Sequence, residues 1–206
     1  MSRRRARGRR AAGAAAVGSA RRGGEGASMD RSARSRLPVE YITRALLRRL
    51  AAAARRAPRG RVNHNFHAYD DGYQRLLNVV QPGSYIRPHR HGHPPKSESF
   101  LVLRGEIGLF TFDERGGILE ARHVGPHRET LGVDIAPGVW HCFAALHEDT
   151  VVFEGKNGPY DPATDKQFPD WAPADGEGKA RDYLASLIDR LPRSAPRRTR
   201  ESREAT

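Results

Sequence analysis

His89 and His91, separated by one residue, are the first pair of side chains in this chain of 206 residues whose types and spacing suggest chemistry. On an extended backbone side chains alternate with period two, so both rings face the same way. Glu98 follows after a loop containing Pro94-Pro95, and His141 arrives far downstream in Pro137-Gly-Val-Trp-His141. Three imidazoles and one carboxylate form a donor set for a single divalent ion (Fe, Mn, Ni, Zn or Co) and leave one or two positions for water or a small-molecule ligand. A lone His-x-His pair among nine histidines is weak evidence. The frame around it is more specific. It runs Gly83, five residues, His-x-His, six residues, Glu98, six residues and Gly105, followed by the distant Pro-Gly-x-x-His. Gly83 and Gly138 supply turns into the histidine segments, and Gly105 ends the segment that carries Glu98.

The same alternation extends the site. Tyr85 and Arg87 share the expected inward face of His89 and His91; Phe100 and Val102 share that of Glu98; Val139 and Phe143 share that of His141. Arg87 is a planar fixed cation suited to a carboxylate or phosphate, with an ion pair at the rim as the equally weighted alternative. Lys96 reads first as a loop residue and second as a substrate-binding group. Tyr85, Phe100 and Phe143 complete the candidate lining, and no catalytic residue is assigned. His93 precedes two prolines and reads as loop, whereas His64 and His67 read as structural or rim residues. Cys142 adjoins His141, so alternation turns it to the opposite face, away from any role as ligand or nucleophile.

Positioning these residues needs a sheet-rich scaffold. Short β-like segments are expected at Arg75–Val80, Ser84–His89, Ser99–Leu103, Ile107–Phe112, Val133–Ile135, Val139–Ala145 and Thr150–Glu154. Turn chemistry separates them, including Gln81-Pro-Gly83, Arg104-Gly105, Asp113-Glu-Arg-Gly-Gly117 and Ala136-Pro-Gly138. No segment of helical length interrupts them, which disfavours a doubly wound parallel sheet and favours a mostly β sandwich or jelly roll. Ahead of them an amphipathic helix is expected over about Val39–Arg56. Its Ile42, Ala45, Leu46, Leu50, Ala53 and Ala54 share one face and Pro38 sits in its first turn. A second helix over about Gly178–Leu191 is expected to place Tyr183, Leu184, Leu187, Ile188 and Leu191 on one face. Between the strands and this helix, Asn157 to Pro173 reads as an ordered loop wrapping the sheets.

With these motifs in place the sequence resembles the cupin superfamily, on Gly83–Gly105 and more loosely on Gly132–His141. More narrowly it is similar to the WbuC-type cupin fold metalloproteins. The residues that carry this are Arg61-Val-Asn-His-Asn-Phe-His67, Gln74-Arg-Leu-Leu-Asn78, Pro82–His91, Lys96-Ser-Glu-Ser-Phe100, Gly158-Pro-Tyr-Asp-Pro162 and Trp171-Ala-Pro173. The resemblance implies one cupin barrel (a double-stranded β-helix, or jelly roll) flanked by an N-terminal and a C-terminal amphipathic helix. Its metal would be held by His89, His91, Glu98 and His141. Two departures stand out. Six residues separate His91 from Glu98 where the general motif has three or four, and Ala145 stands where an asparagine is usual. The family is associated with surface-polysaccharide gene clusters, which implies a metal-dependent enzyme acting on a small polar or carbohydrate-like molecule, including a sugar nucleotide. A non-catalytic sugar- or metabolite-binding cupin with a structural metal, and an iron-dependent dioxygenase-like cupin, are the alternatives. A homodimer is also implied.

The formal charge of +12 is confined to the ends of the chain. Residues 1–36 carry eleven arginines against Glu25 and Asp30, and residues 190–206 carry six against Glu201 and Glu204. The stretch between is close to neutral, and no zinc-finger, helix-turn-helix or aromatic RNA-binding signature accompanies the basicity, so nucleic acid is not an expected partner of the core. The expected organisation is a disordered extension over 1–36, a helix over 37–60 and a barrel over 61–157. A loop and helix of the same domain follow over 158–191, then a disordered basic tail over 192–206. The Arg-rich, acid-poor start also has the composition of an organelle transit peptide; Met29 offers an alternative start. The single cysteine rules out an intrachain disulfide. No run approaches the eighteen or so apolar residues of a membrane span, and the start lacks an apolar signal core, so a cytoplasmic protein is expected.

Overall fold

The computed structural model describes residues 39–193; the expected extension over 1–36 and most of the expected tail over 192–206 lie outside them. Two helices and eight strands make up the described chain, in the order α1 (Arg44–Arg56), β1 (Arg61–Asn65), β2 (Tyr73–Val80), β3 (Glu98–Arg104), β4 (Ile107–Phe112), β5 (Ile118–Val124), β6 (Gly132–Ile135), β7 (Trp140–Ala145), β8 (Thr150–Asn157) and α2 (Ala180–Ile188). The strands form two antiparallel sheets, one of five strands in the order β1-β2-β8-β3-β6 and one of three in the order β5-β4-β7.

Alternation within the strands sorts their apolar residues into three layers. Val80, Phe100, Val102 and Val152 from the larger sheet meet Ile107, Leu109, Phe143 and Ala145 from the smaller one, so the sheets face each other across a shared core. Leu77, Val79 and Val151 point out of the larger sheet and are covered by Leu46, Leu50, Ala51 and Ala54 of α1. Phe110, Phe112, Trp140 and Cys142 point out of the smaller sheet and are covered by Ala180, Leu184 and Leu187 of α2, with Tyr183, Ile188 and Leu191 packed beside them. Each helix therefore buries one apolar stripe, which in water is what keeps a short helix folded.

The first helix begins later than its apolar pattern suggests. Thr43 is extended (φ −103°, ψ 156°) and its side-chain oxygen accepts from the Leu46 backbone N–H at 3.1 Å, so the helix starts at Arg44 rather than Val39. Ile42 and Ala45 are exposed instead of packed, and the expected first-turn Pro38 lies outside the described residues. Two strands escape a reading by pattern. The edge strand β1 has Val62 as its one apolar residue, and the edge strand β5 is half in water with an exposed Glu120–Arg122 ion pair. The segment Ser84–His89 departs in the other direction. It joins no ladder, and its one backbone bridge to the sheets is His89–His141. Pro88 contributes no N–H there, which prevents continuous pairing.

No helix among the described residues is long and apolar enough to cross a membrane.

Candidate metal centre

The site forms where three pieces of chain meet at one end of the shared core. β3 begins at Glu98 and turns its carboxylate inward with Phe100; β7 turns His141 inward with Phe143. His89 is fixed against His141 by reciprocal backbone hydrogen bonds of 2.9 Å, and His91 lies one alternation further on. Gly83 and Gly138 adopt φ of +81° and +82°, a conformation costly for other residues, in the turns leading to His89 and His141. One ligand atom from each of His89, His91, Glu98 and His141 falls within 4.8 Å of the others, and all four residues are buried.

The hydrogen bonds around the rings settle which nitrogen faces the centre. Nδ1 of His89 donates to the Arg87 carbonyl and Nδ1 of His141 to the Val139 carbonyl, each at 2.9 Å, and Nδ1 of His91 donates to the Asp165 carbonyl. With Nδ1–H occupied on every ring, three Nε2 lone pairs converge on Glu98. His141 Nε2 lies 2.9 Å and His91 Nε2 3.4 Å from Glu98 Oε2, and the buried His91 Nε2 has no hydrogen-bond partner. Neutral imidazole nitrogens and a carboxylate are all acceptors, so as a set they call for a cation between them. Burial, reinforced by the charge of Lys166 and by His141, pushes His89 well below the ordinary histidine range and keeps it in the neutral, ligating form. Burial alone would raise the Glu98 carboxyl. The close approach of His141 and His91 and the charge of Lys156 outweigh it and hold the group well below the usual range. These four residues fit a divalent ion of the first transition row or zinc.

Behind the ligands lies a buried ionic cluster. Asp165 accepts from Lys96 Nζ at 2.9 Å and from Lys156 Nζ at 2.8 Å, and Lys156 also lies 3.8 Å from Glu98 and 3.7 Å from Glu154. Burial pushes against charging Lys156, but Glu154, Glu98 and Asp165 together hold it above the ordinary lysine range. Burial and the charge of Glu98 raise the Glu154 carboxyl to about 8, and Asn78 donates to it. Asp165 thus serves twice, its carbonyl fixing the His91 ring and its carboxylate tying two lysines to the back of the centre.

The remaining candidates are placed as follows. Phe100 and Phe143 stack edge to face at 5.4 Å, and Phe100 lies 6.3 Å from the His141 ring, so both line the inner side. Tyr85 does not share the face of His89. Its ring meets Tyr183 at 6.2 Å in the outer layer beside Cys142, and its hydroxyl donates to the Pro173 carbonyl at 2.9 Å. The alternation argument fails there because Ser84–His89 is not a ladder strand. Arg87 reaches the mouth of the site but makes no ion pair with a described residue; it donates to the Pro169 carbonyl at 2.6 Å and covers the Phe168 ring at 5.1 Å. Lys96 is buried and committed to Asp165 and the Pro159 carbonyl, which makes it a support for the centre rather than a ligand-facing group. His64 pairs with Glu40 and His67 with the backbone of Arg75, both away from the cluster. Asp165, Lys156, Glu154, Lys166 and Phe168 escaped the sequence reading. A buried lysine on a strand, Lys156 two residues from Glu154, was the one usable signal.

Comparison with known proteins adds little weight. A family described as "Domain of unknown function (DUF6016)" matches residues 42–124. No curated protein matches the chain. Among solved structures it is similar to the capsular polysaccharide assembling protein CapF from Staphylococcus aureus, at 24% identity and a TM-score of 0.44, covering 52% of this chain and 29% of that one. Oxalate decarboxylase from Bacillus subtilis is similar at 17% identity and a TM-score of 0.39, covering 48% of this chain and 24% of that one. KdgF from Halomonas sp. is similar at 16% identity and a TM-score of 0.39, covering 49% and 80%. The chain thus spans under a third of the length of CapF.

Proposed function

We propose that this is a metal-binding cupin of the WbuC type, with one barrel-centred domain over residues 37–191 and a single divalent ion held by His89, His91, Glu98 and His141. Its role in this reading is that of a metal-dependent enzyme acting on a small polar or carbohydrate-like molecule, including a sugar nucleotide, in a surface-polysaccharide context. One observation carries it: three buried imidazoles, each with Nδ1 on a backbone carbonyl, present Nε2 to one buried carboxylate. A bound ion would polarise a carbonyl or hydroxyl oxygen of the substrate. The chain's own residues orient that ion and keep bulk water from it, since Phe100 and Phe143 seal the inner side and the buried Asp165 cluster backs the ligands. A homodimer and a cytoplasmic location belong to the same reading, and light scattering that returned a monomer mass would remove the dimer.

The test is a conversion screen. Metal-stripped and metal-reconstituted protein would be incubated with nucleotide sugars and free sugar acids, and products read by mass spectrometry. Conversion that vanishes on stripping and returns with metal supports the enzyme. A second reading, a sugar-binding module with a structural metal, draws on the burial of all four ligands, none more than 4% exposed. Ligand binding without metal-dependent conversion would favour that module and reject the enzyme.

A further inference from the structure

The mouth of the centre carries a cation whose charge no other described residue takes up. Arg90 and Gln167 pair in both directions, with backbone N–O distances of 3.1 and 3.0 Å, as an antiparallel bridge. Their side chains share one face, since Arg90 Nε donates to Gln167 Oε1 at 2.9 Å. Alternation then places the flanking residues on the other face, Phe168 opposite His89 and Lys166 opposite His91. The Phe168 ring lies 6.3 Å from that of His89, as this register requires. Lys166 is exposed and forms no ion pair or side-chain hydrogen bond with another described residue, yet its charge acts on both His89 and Glu154. The neighbouring cations are already committed: Lys96 and Lys156 to Asp165, Arg87 to Pro169 and Phe168. The backbone beneath Lys166 is fixed on both sides, by His91 on Asp165 and by Arg90 on Gln167. Phe168, 50% exposed, adds apolar surface at the same rim.

We propose that Lys166 is the anion-binding residue of this centre and that its ligand is a small molecule bearing a carboxylate or phosphate group. The inference rests on the metal reading of the site and narrows its substrate to oxyanions. It moves the anion-binding role from Arg87, whose guanidinium instead pins the rim, to a side chain two residues from Phe168.

The test is calorimetric titration of the full chain, metal-loaded and metal-free, with inorganic phosphate in one arm and succinate in the other. Wild type, Lys166→Ala, Lys166→Arg and, as a control on an exposed lysine elsewhere, Lys179→Ala are compared, and metal content is measured on every sample. The expectation is that at least one anion binds wild type, that its Kd rises about tenfold in Lys166→Ala, and that Lys166→Arg recovers most of the loss. Lys179→Ala should match wild type. Failure of both anions to bind wild type, or a Lys166→Ala Kd within about twofold of wild type, overturns the proposal. A wild type that takes up no metal on loading yet binds an anion through Lys166 would sustain this inference while removing the metal reading.

Discussion

Asp165→Asn removes one charge from the most densely connected point behind the centre while keeping side-chain volume. In the native chain the carboxylate receives Lys96 at 2.9 Å and Lys156 at 2.8 Å, and all three side chains are only 3–4% exposed. After substitution Lys96 retains the Pro159 carbonyl at 2.7 Å, and Lys156 retains Glu98 at 3.8 Å and Glu154 at 3.7 Å. Breaking a buried pair by removing one partner costs about 3–5 kcal/mol, and these residual partners set the expected loss near the lower limit, about 3 kcal/mol. In a domain of this size that corresponds to a Tm lower by roughly 6–12 °C. The same change disturbs the residue whose carbonyl orients His91, so metal affinity should fall on the order of 10–100-fold. Thermal melting of metal-free protein isolates the first effect and a competition titration with a metal-sensitive dye the second. Asp161→Asn, an exposed carboxylate in the same loop, serves as the control. A metal-free Asp165→Asn protein melting within about 2 °C of wild type would refute the reasoning.

Glu106 and Cys142 provide two independent checks. Burial would raise the Glu106 carboxyl, but Arg128 at 2.8 Å and His123 at 2.5 Å hold it below the ordinary carboxylate range. A depressed folded-state pKa contributes stability above the unfolded value, about 4.3, and that contribution is lost as pH falls through the folded value. Glu106→Gln should therefore be destabilised at pH 7, with the gap to wild type closing at acid pH in denaturant titrations; a gap constant from about pH 7 to pH 3 would count against the assignment. Burial pushes the Cys142 thiol well up, so a thiol-specific disulfide reagent at about pH 8 should leave the native protein unlabelled and label it fully in denaturant. Rapid labelling of the native chain would contradict its place beneath α2.

How much was legible depended on whether a signal was local. Ile107–Phe112 could be read to the residue because its apolar side chains serve cores on both sheet faces and Gly105 and Asp113 bound it. β1 and β5 were not legible, since edge strands half in water carry polar residues on positions a central strand would fill with apolar ones. The four centre residues stood out by spacing, whereas Tyr85 was misplaced because period-two reasoning assumes a ladder that Pro88 interrupts. The supporting shell was invisible for a different reason. Asp165 and Lys166 belong to a loop that returns to His89–His91 from more than seventy residues away, as in the His91–Asp165 contact with a separation of 74, and no local pattern encodes that return.

Elemental analysis of protein purified without a metal-affinity tag tests the central claim most directly. Wild type is predicted to carry one divalent ion per chain, and His89→Ala/His141→Ala, checked for folding by circular dichroism, to carry none. Equal metal content in the two folded proteins would contradict the account.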